Sequence, residues 1–260
     1  MASKPKKRAR PTSKRKAPPA RRKPVPRRKA RAAREPFQPL RLIGRWVRRV
    51  VLGVVGLMLI WISAYAFIDP PTTPYMLFEK ARLGDIDQQW VPISEISPYI
   101  ALAVVAAEDA NFCSHWGFDM AAIRAAMADG GARGGSTISQ QMVKNVFLWQ
   151  GRSWPRKALE ALITPVVELI WTKRRILEVY LNVAEFDEGV FGIEAAARQY
   201  FDTGPEVLTP RQAALTATVL PNPKQRSASQ PTQSMARRAR MIEDGAATIS
   251  ADGRASCFED

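Results

Sequence analysis

Positions 50–68 of this sequence form a run of 19 residues without a charged side chain, which limits the folds that the chain can adopt. As a helix with a rise of about 1.5 Å per residue, the run would measure roughly 28 Å, close to the hydrocarbon thickness of a bilayer. Two arginines precede the run and Asp-Pro-Pro follows it. The sequence therefore predicts a single transmembrane helix at 46–68 and a short linker at 69–75.

A cleaved signal peptide is the alternative interpretation of the apolar run. Signal peptides usually have an apolar core of about 7–15 residues and a small-residue cleavage site. The basic segment in front of that core is also shorter than the one in this chain. The length of the run favours a retained membrane anchor.

Positive charge is concentrated in front of the apolar run. Residues 1–49 contain 20 of the 39 Lys and Arg residues and one acidic residue, Glu35, whereas the rest of the chain has a net charge of −4. Few apolar side chains occur in residues 1–45, which are predicted to form a disordered basic tail. Because Lys and Arg favour the cytoplasmic side of a membrane, we expect the tail in the cytoplasm and residues 69–260 outside it.

Helix signals dominate the rest of the chain, and the alternation of apolar and polar residues typical of strands is nearly absent. Thr137 and Gln140 predict a capping box, and the apolar residues that follow lie on one side of a helix. Thr209 and Gln212 predict a second capped helix. The sequence therefore predicts a mainly α-helical domain at 76–225.

A pair of acidic residues, Glu108 and Asp109, stands where an apolar segment meets a loop that contains three aromatic residues. This setting partly removes a carboxylate from water, which suits it to proton transfer. The alternative is that one of these residues only caps the helix or forms an ion pair. The local sequence alone favours that structural role over a catalytic one.

Glycines at 134–135 lead directly into the predicted helix that Thr137 and Gln140 cap. Backbone N–H groups at such a helix start can surround an anion. The segment has no Gly-Lys-Ser/Thr pattern, so a nucleotide-binding P-loop is not supported. Glycine before a capped helix is common, and the segment alone is a weak signal.

Three cations, Arg152, Arg156 and Lys157, crowd the predicted start of another helix. The helix dipole disfavours positive charge at that end, and an anionic ligand would offset this cost. The alternative is that the cations form ordinary ion pairs with Glu160, which follows Arg156 by four residues.

The histidine and cysteine residues limit other kinds of site. His115 is the single histidine, so a Cys/His zinc site is not expected. We expect His115 to fix a loop by a hydrogen bond, since no nucleophile-elbow pattern accompanies it. Cys113 and Cys257 lie far apart in the sequence, and we expect no disulfide between them, although a location outside the cytoplasm would permit one.

Five segments, taken in order, resemble the bacterial peptidoglycan glycosyltransferase family, the lysozyme-like transglycosylases of cell-wall synthesis. They are AAEDANFCSHWGFD at 106–119, GGSTISQQMVKN at 134–145, RKALE at 156–160, KRRILEVYLNVAEF at 173–186 and GVFGIEAAARQYF at 189–201. The resemblance is closest to the monofunctional members, because the chain after position 205 is too short for a transpeptidase domain. It implies a lysozyme-like helical glycosyltransferase domain and assigns no role to the C-terminal extension at 226–260.

The resemblance implies that Glu108 is the general base. It would remove the proton from the 4-hydroxyl of the acceptor sugar as that oxygen attacks the anomeric carbon of the donor. The donor and acceptor would be lipid II and the nascent lipid-linked glycan strand. Lipid pyrophosphate would leave, and the new β-1,4 bond would form with inversion.

Other site residues follow from the same resemblance. Four cations would bind the pyrophosphates of the two substrates: Lys144, Arg152, Arg156 and Lys157. Glu160, a second catalytic glutamate, would position those cations or a divalent metal ion, Mg²⁺ or Mn²⁺. Four neighbours would support the site: Asp109, Phe112, Gln141 and Asn145.

The implied location is the bacterial inner membrane, with the N-terminus in the cytoplasm and the catalytic domain in the periplasm. The basic tail would lie against the anionic inner leaflet, and other cell-wall synthesis proteins are expected partners.

Two alternative functions are less well supported. A lysozyme-like hydrolase would also use a glutamate on a helical fold but would have little use for four cations near it. A membrane-tethered nucleic-acid-binding protein would explain the basic tail through phosphate neutralisation. The tail lacks the interspersed aromatic residues of a single-strand platform, however, and nucleic acid is not an expected partner.

Overall fold

The computed structural model describes Met1 and residues 39–128, 135–151 and 153–259. The chain divides into two units, Met1–Arg49 and Val50–Asp260. Most of the tail predicted to be disordered, residues 1–45, lies outside the described residues.

The first helix, α1, spans Pro39–Tyr65. Within it, Ile43–Tyr65 is long and apolar enough to cross a membrane, with a mean hydropathy of 1.9, and it is the single such candidate among the described residues. This confirms the prediction of one candidate membrane helix. The helix ends three residues before the predicted boundary at 68, because residues 66–68 form a turn in which the N–H groups of Phe67 and Ile68 bond to Ala64 O.

The fold is mainly α-helical, as predicted, and α1 is followed by nine more α-helices in the described residues. They are α2 Pro74–Leu83, α3 Pro98–Glu108, α4 Met120–Ala128, α5 Ile138–Phe147, α6 Trp154–Ile170, α7 Lys173–Val183, α8 Ile193–Phe201, α9 Pro210–Ala217 and α10 Gln233–Ala251. Both predicted capping boxes are present, at the starts of α5 and α9.

A three-stranded sheet accompanies the helices, and the sequence did not predict it. Its strands are β1 Asp87–Gln88, β2 Glu185–Asp187 and β3 Val190–Phe191, in the order β1-β3-β2, with β3 parallel to β1 and antiparallel to β2. Strands of two or three residues are too short to show a period of two. Gly192, at φ +83°, ends the sheet where a Cβ atom would lie 2.9 Å from the carbonyl oxygen of Asn182.

Two groups of helices build the core of the second unit. The middle of α3 is buried from Ile100 to Val105 because α9 and α10 both pack against it. In the other group, α5 lies against α6 and α7 and buries Met142, Val143 and Val146 completely. Residues 226–260, to which the sequence assigned no role, contribute α10 to this core through four buried residues: Met235, Ala239, Ile242 and Ile249.

The C-terminal end of α1 packs against the second group of helices. Trp171 Nε1 donates a 2.8 Å hydrogen bond to Ile62 O. Trp61 meets the ring of Phe147 edge-to-face, with 5.2 Å between ring centroids. These contacts attach the candidate membrane helix to the folded domain.

A disulfide joins Cys113 to Cys257, and the expectation that they remain unpaired was wrong. Their separation of 144 residues gave no local signal. The packing of α10 against α3 brings the C-terminal segment to the loop after α3, where Arg254 donates to Ala110 O and Phe258 lies against Phe112.

Candidate active site

Glu108 is the last residue of α3 and is only partly exposed. Its Oε2 accepts a 2.8 Å hydrogen bond from Nε2 of Gln141, which lies on α5. The apolar sequence before Glu108 explains its position, since the buried part of α3 carries this carboxylate to the edge of the core.

Asp109 ties the loop after α3 to the start of α5. One carboxylate oxygen lies 2.8 Å from Nε2 of His115, and the other accepts a 3.0 Å hydrogen bond from the N–H of Ile138. The expectation that His115 fixes this loop through a hydrogen bond is confirmed. Asp109 thus connects the loop after α3 with the start of α5, and this connection helps to fix the position of the adjacent Glu108.

Glu160 is buried on α6 and forms ion pairs with two cationic side chains. Arg156 Nη1 donates to Glu160 Oε2 at 2.7 Å, and Lys157 Nζ donates to the other carboxylate oxygen. Lys157 also reaches Ser136 Oγ at 3.0 Å, in the segment that leads into α5. Lys157 therefore connects Glu160 to the segment before the capped start of α5, where the sequence carries only a weak signal for an anion site.

Lys144 lies on α5, close enough to Glu108 and Glu160 for their charges to act on its ammonium group. Burial lowers the pKa of its ammonium group below the usual range, Glu160 opposes this shift, and Arg156 and Lys157 add to it. Glu108 also acts on it and favours the charged form. A cation held beside other cations gains most from an anionic ligand.

The hydrogen-bonded residues Glu108 and Gln141 line two different cavities. One, of about 400 Å³, is lined by Gln141 together with Lys144, Asn145 and the segment 220–225. The other, of about 380 Å³, is lined by Glu108 and by residues of the loop after α3 and the segment before α5. Each has the size of a small-ligand site.

The remaining predicted residues fall into three positions. Asn145 lines the first cavity, and its side-chain oxygen accepts a hydrogen bond from Gln150 at 3.0 Å. Phe112 is buried beneath the loop, with Lys173 Nζ 4.5 Å from the centre of its ring, so it supports the loop from the core. Arg152 and Gly134 lie outside the described residues.

Tyr180 is a residue of this site that the sequence did not single out. It lies on α7, its hydroxyl donates a 3.0 Å hydrogen bond to Gln141 Oε1, and it lines the first cavity. The segment that contains it was recognised, but its apolar neighbours at helical spacing gave it the pattern of a core residue. Only the crossing of α5 and α7 shows that its hydroxyl meets Gln141.

The described side chains do not form a metal cage. Among residues 39–128, 135–151 and 153–259, no three His, Cys, Asp or Glu side chains converge. Both carboxylate oxygens of Glu160 are already bonded to cations.

Comparison with known proteins places these segments in a family. Residues 77–246 match the family described as Transglycosylase, a range that runs from α2 into α10. The match covers more than half of the chain and includes every predicted site residue.

Three relatives, each named biosynthetic peptidoglycan transglycosylase, show similarity over most of their length. The protein from Jannaschia sp. (strain CCS1) is 64% identical over 214 residues, which are 82% of this chain and 90% of the relative. The protein from Stutzerimonas stutzeri (strain A1501) is 46% identical over 75% of this chain and 84% of the relative. The protein from Yersinia pestis (strain Pestoides F) is 50% identical over 68% of this chain and 79% of the relative. Because the family match covers more than half of the chain and these relatives are similar over most of their length, the chain belongs to the transglycosylase family.

Proposed function

We propose that this protein is a peptidoglycan glycosyltransferase that elongates glycan strands from lipid II. The reaction is an inverting β-1,4 transfer that releases lipid pyrophosphate. The observation that carries the proposal is that Glu108 and its hydrogen-bond partner Gln141 each line a cavity, and that Lys144 lies close enough to Glu108 for their charges to interact. A transferase needs room for a donor and an acceptor on the two sides of its base.

Glu108 is the general base in this proposal. It takes the proton of the acceptor 4-hydroxyl while that oxygen forms a bond to the anomeric carbon of the donor. The bond from this carbon to the pyrophosphate oxygen breaks, and the electron pair leaves with the pyrophosphate. The donation from Gln141 holds one carboxylate oxygen in place and leaves the other available for the acceptor.

The cations stabilise the departing pyrophosphate. Arg156 and Lys157 are held by Glu160 before substrate arrives. Lys144 is mostly buried and lies close enough to these side chains for the charges to interact. Preorganised charges lower the barrier most where negative charge develops in the transition state. Arg152 keeps its proposed place in this group on the basis of the sequence.

The candidate membrane helix is consistent with a substrate that is linked to a lipid. Because the end of α1 is attached to the domain through Ile62 and Trp171, the domain would stay near the bilayer surface, where a lipid-linked sugar is presented. We propose the inner membrane as the location, with the catalytic domain in the periplasm. The disulfide between Cys113 and Cys257 supports this orientation, since disulfides persist in the oxidising periplasm.

The orientation has its own test. Alkaline phosphatase, which is active only in the periplasm, is fused to the C-terminal end of the full chain and expressed in a Gram-negative host. The proposed orientation predicts active phosphatase, whereas an inactive but intact fusion would reverse it.

We propose separately that a divalent cation assists the reaction, and the proton transfer to Glu108 does not depend on it. Mg²⁺ is often held chiefly by substrate phosphates and water, so the pyrophosphate would supply most of its ligands. Activity measured in chelator and then with added Mg²⁺ or Mn²⁺ tests this requirement.

The experiment that tests the function supplies the purified full chain with lipid-linked disaccharide–pentapeptide. The proposal predicts glycan strands longer than the precursor, together with released lipid pyrophosphate. A lysozyme-like hydrolase would instead shorten preformed glycan strands and give no polymer, and that result would overturn the proposal.

A further inference from the structure

Three side chains from three helices form a hydrogen-bonded chain that ends at Glu108. The hydroxyl of Tyr180 on α7 donates to Gln141 Oε1 at 3.0 Å. Gln141 Nε2 on α5 then donates to Glu108 Oε2 at the end of α3, at 2.8 Å. Tyr180 is 1% exposed, so its hydroxyl has little access to competing water.

The orientation of the Gln141 amide follows from this chain. A carboxylate can only accept hydrogen bonds, so it requires the NH₂ end of the amide, and the amide oxygen must then face Tyr180. Tyr180 matches that requirement because its hydroxyl donates. Burial, and after it the negative charges of Glu108 and Asp109, hold the pKa of Tyr180 well above its usual value, which keeps the donor proton in place.

Loss of the Tyr180 hydroxyl would remove this constraint. The Gln141 amide could then turn its oxygen toward Glu108. Only a protonated Glu108 can donate to that oxygen, so the turned amide favours the form that cannot act as a base.

Charged groups approach Glu108 from several elements. Asp109 follows it in the chain, and Lys144 on α5 is close enough for the two charges to interact. From α10, Arg238 donates to Ala107 O at 3.3 Å, next to Glu108. The charges of Arg156, Lys157 and Glu160 on α6 act on Lys144. Removing the hydroxyl of Tyr180 changes none of these charges. A shift in the pH dependence of kcat/KM would therefore report on the orientation of the Gln141 amide.

We infer that Tyr180 is a positioning residue for the transfer reaction: it locks the Gln141 amide so that its NH₂ group faces Glu108 and keeps that carboxylate ready to accept a proton. This inference rests on the proposed function of Glu108 as the base. It assigns Tyr180 no contact with the reacting atoms.

The test compares four purified full-length proteins in the polymerisation assay. They are the wild type, Tyr180→Phe, Gln141→Leu and the double variant. Tyr200→Phe is the matched control, because Tyr200 also has a buried hydroxyl that donates, in its case to Phe186 O at 2.6 Å. For each protein, kcat, KM for the lipid-linked precursor and the dependence of kcat/KM on pH are measured, at a temperature where circular dichroism shows all five to be folded.

Tyr180→Phe is expected to lower kcat by about three- to tenfold, the effect of one hydrogen bond, with KM changed less than twofold. The acid limb of its pH profile should move to higher pH, while Tyr200→Phe keeps the wild-type limb. In the Gln141→Leu background, Tyr180→Phe should have no further effect, since the link between them is already lost.

An unchanged acid limb in Tyr180→Phe would overturn the inference, and so would effects of the two substitutions that simply multiply in the double variant. Both results leave the proposed function intact as long as the wild type makes glycan strands. A wild type that makes no strands refutes the proposed function, and the positioning role falls with it.

Discussion

Arg156 donates a 2.7 Å hydrogen bond to Glu160, one turn further along the same helix. The side chain of Arg156 is 10% exposed and that of Glu160 is 3% exposed, so the pair is held away from water. Lys157 occupies the other carboxylate oxygen. One glutamate therefore fixes two cations next to the start of α5.

Glu160→Gln should reduce polymerisation by about 10²-fold, because the two cations lose the charge that positions them. The same change leaves Arg156 buried without a charged partner, and breaking such a pair costs about 3–5 kcal/mol of folding free energy. Glycan synthesis and thermal unfolding are measured on the same preparation. Glu194→Gln on α8 is the control, since Glu194 is also buried and paired at i,i+4 with Arg198. Activity of Glu160→Gln equal to that of the control would contradict the proposed role.

Lys144 should make the reaction sensitive to alkaline pH. Burial lowers the pKa of its ammonium group, so this cation is lost at a lower pH than an ordinary lysine would require. The alkaline limb of kcat/KM should therefore lie below the usual lysine pKa. Lys144→Arg should move that limb upward even where its overall activity is lower, because a guanidinium group keeps its charge. Identical alkaline limbs in the two proteins would exclude Lys144 as the titrating cation.

The disulfide between Cys113 and Cys257 should stabilise the domain, because it closes a loop across 144 positions and ties the segment after Glu108 to the C-terminal end. Removing a native disulfide typically costs about 2–5 kcal/mol. Cys257→Ser should therefore unfold at a lower temperature than the wild type in calorimetry. The double variant Cys113→Ser/Cys257→Ser should unfold at the same temperature with and without reductant, whereas the wild type should lose stability in reductant. A wild type indifferent to reductant would contradict this contribution.

Deletion of residues 1–40 should leave polymerisation in detergent nearly unchanged. The predicted functions of this basic segment are membrane topology and attraction to anionic lipids, and detergent removes the need for both. The assay compares initial rates of glycan synthesis by the full chain and the shortened chain. A large loss of activity in the shortened chain would show that the segment takes part in the reaction itself.

Much of the architecture could be predicted because its signals are local. Periodic apolar residues and the capping pairs Thr137–Gln140 and Thr209–Gln212 predicted helices that the structure confirms. The apolar run at 50–68 predicted the candidate membrane helix that the structure describes, although this helix ends at Tyr65.

The features that the sequence did not reveal depend on contacts between distant segments. The disulfide requires α10 to pack against α3. Strand β1 pairs with β3, which lies about 100 positions further along the chain. The role inferred for Tyr180 depends on where α7 crosses α5. Periodicity within one helix marks such residues as buried and gives no information about the polar atom that each one meets.

The role of Glu108 as the base is tested by comparing the wild type with Glu108→Gln in polymerisation of lipid-linked precursor. The substitution keeps the size of the side chain and its capacity to accept a hydrogen bond, but it removes the base. We predict near-complete loss of glycan product with an unchanged unfolding temperature. Normal polymerisation by Glu108→Gln would contradict the assignment of Glu108 as the base.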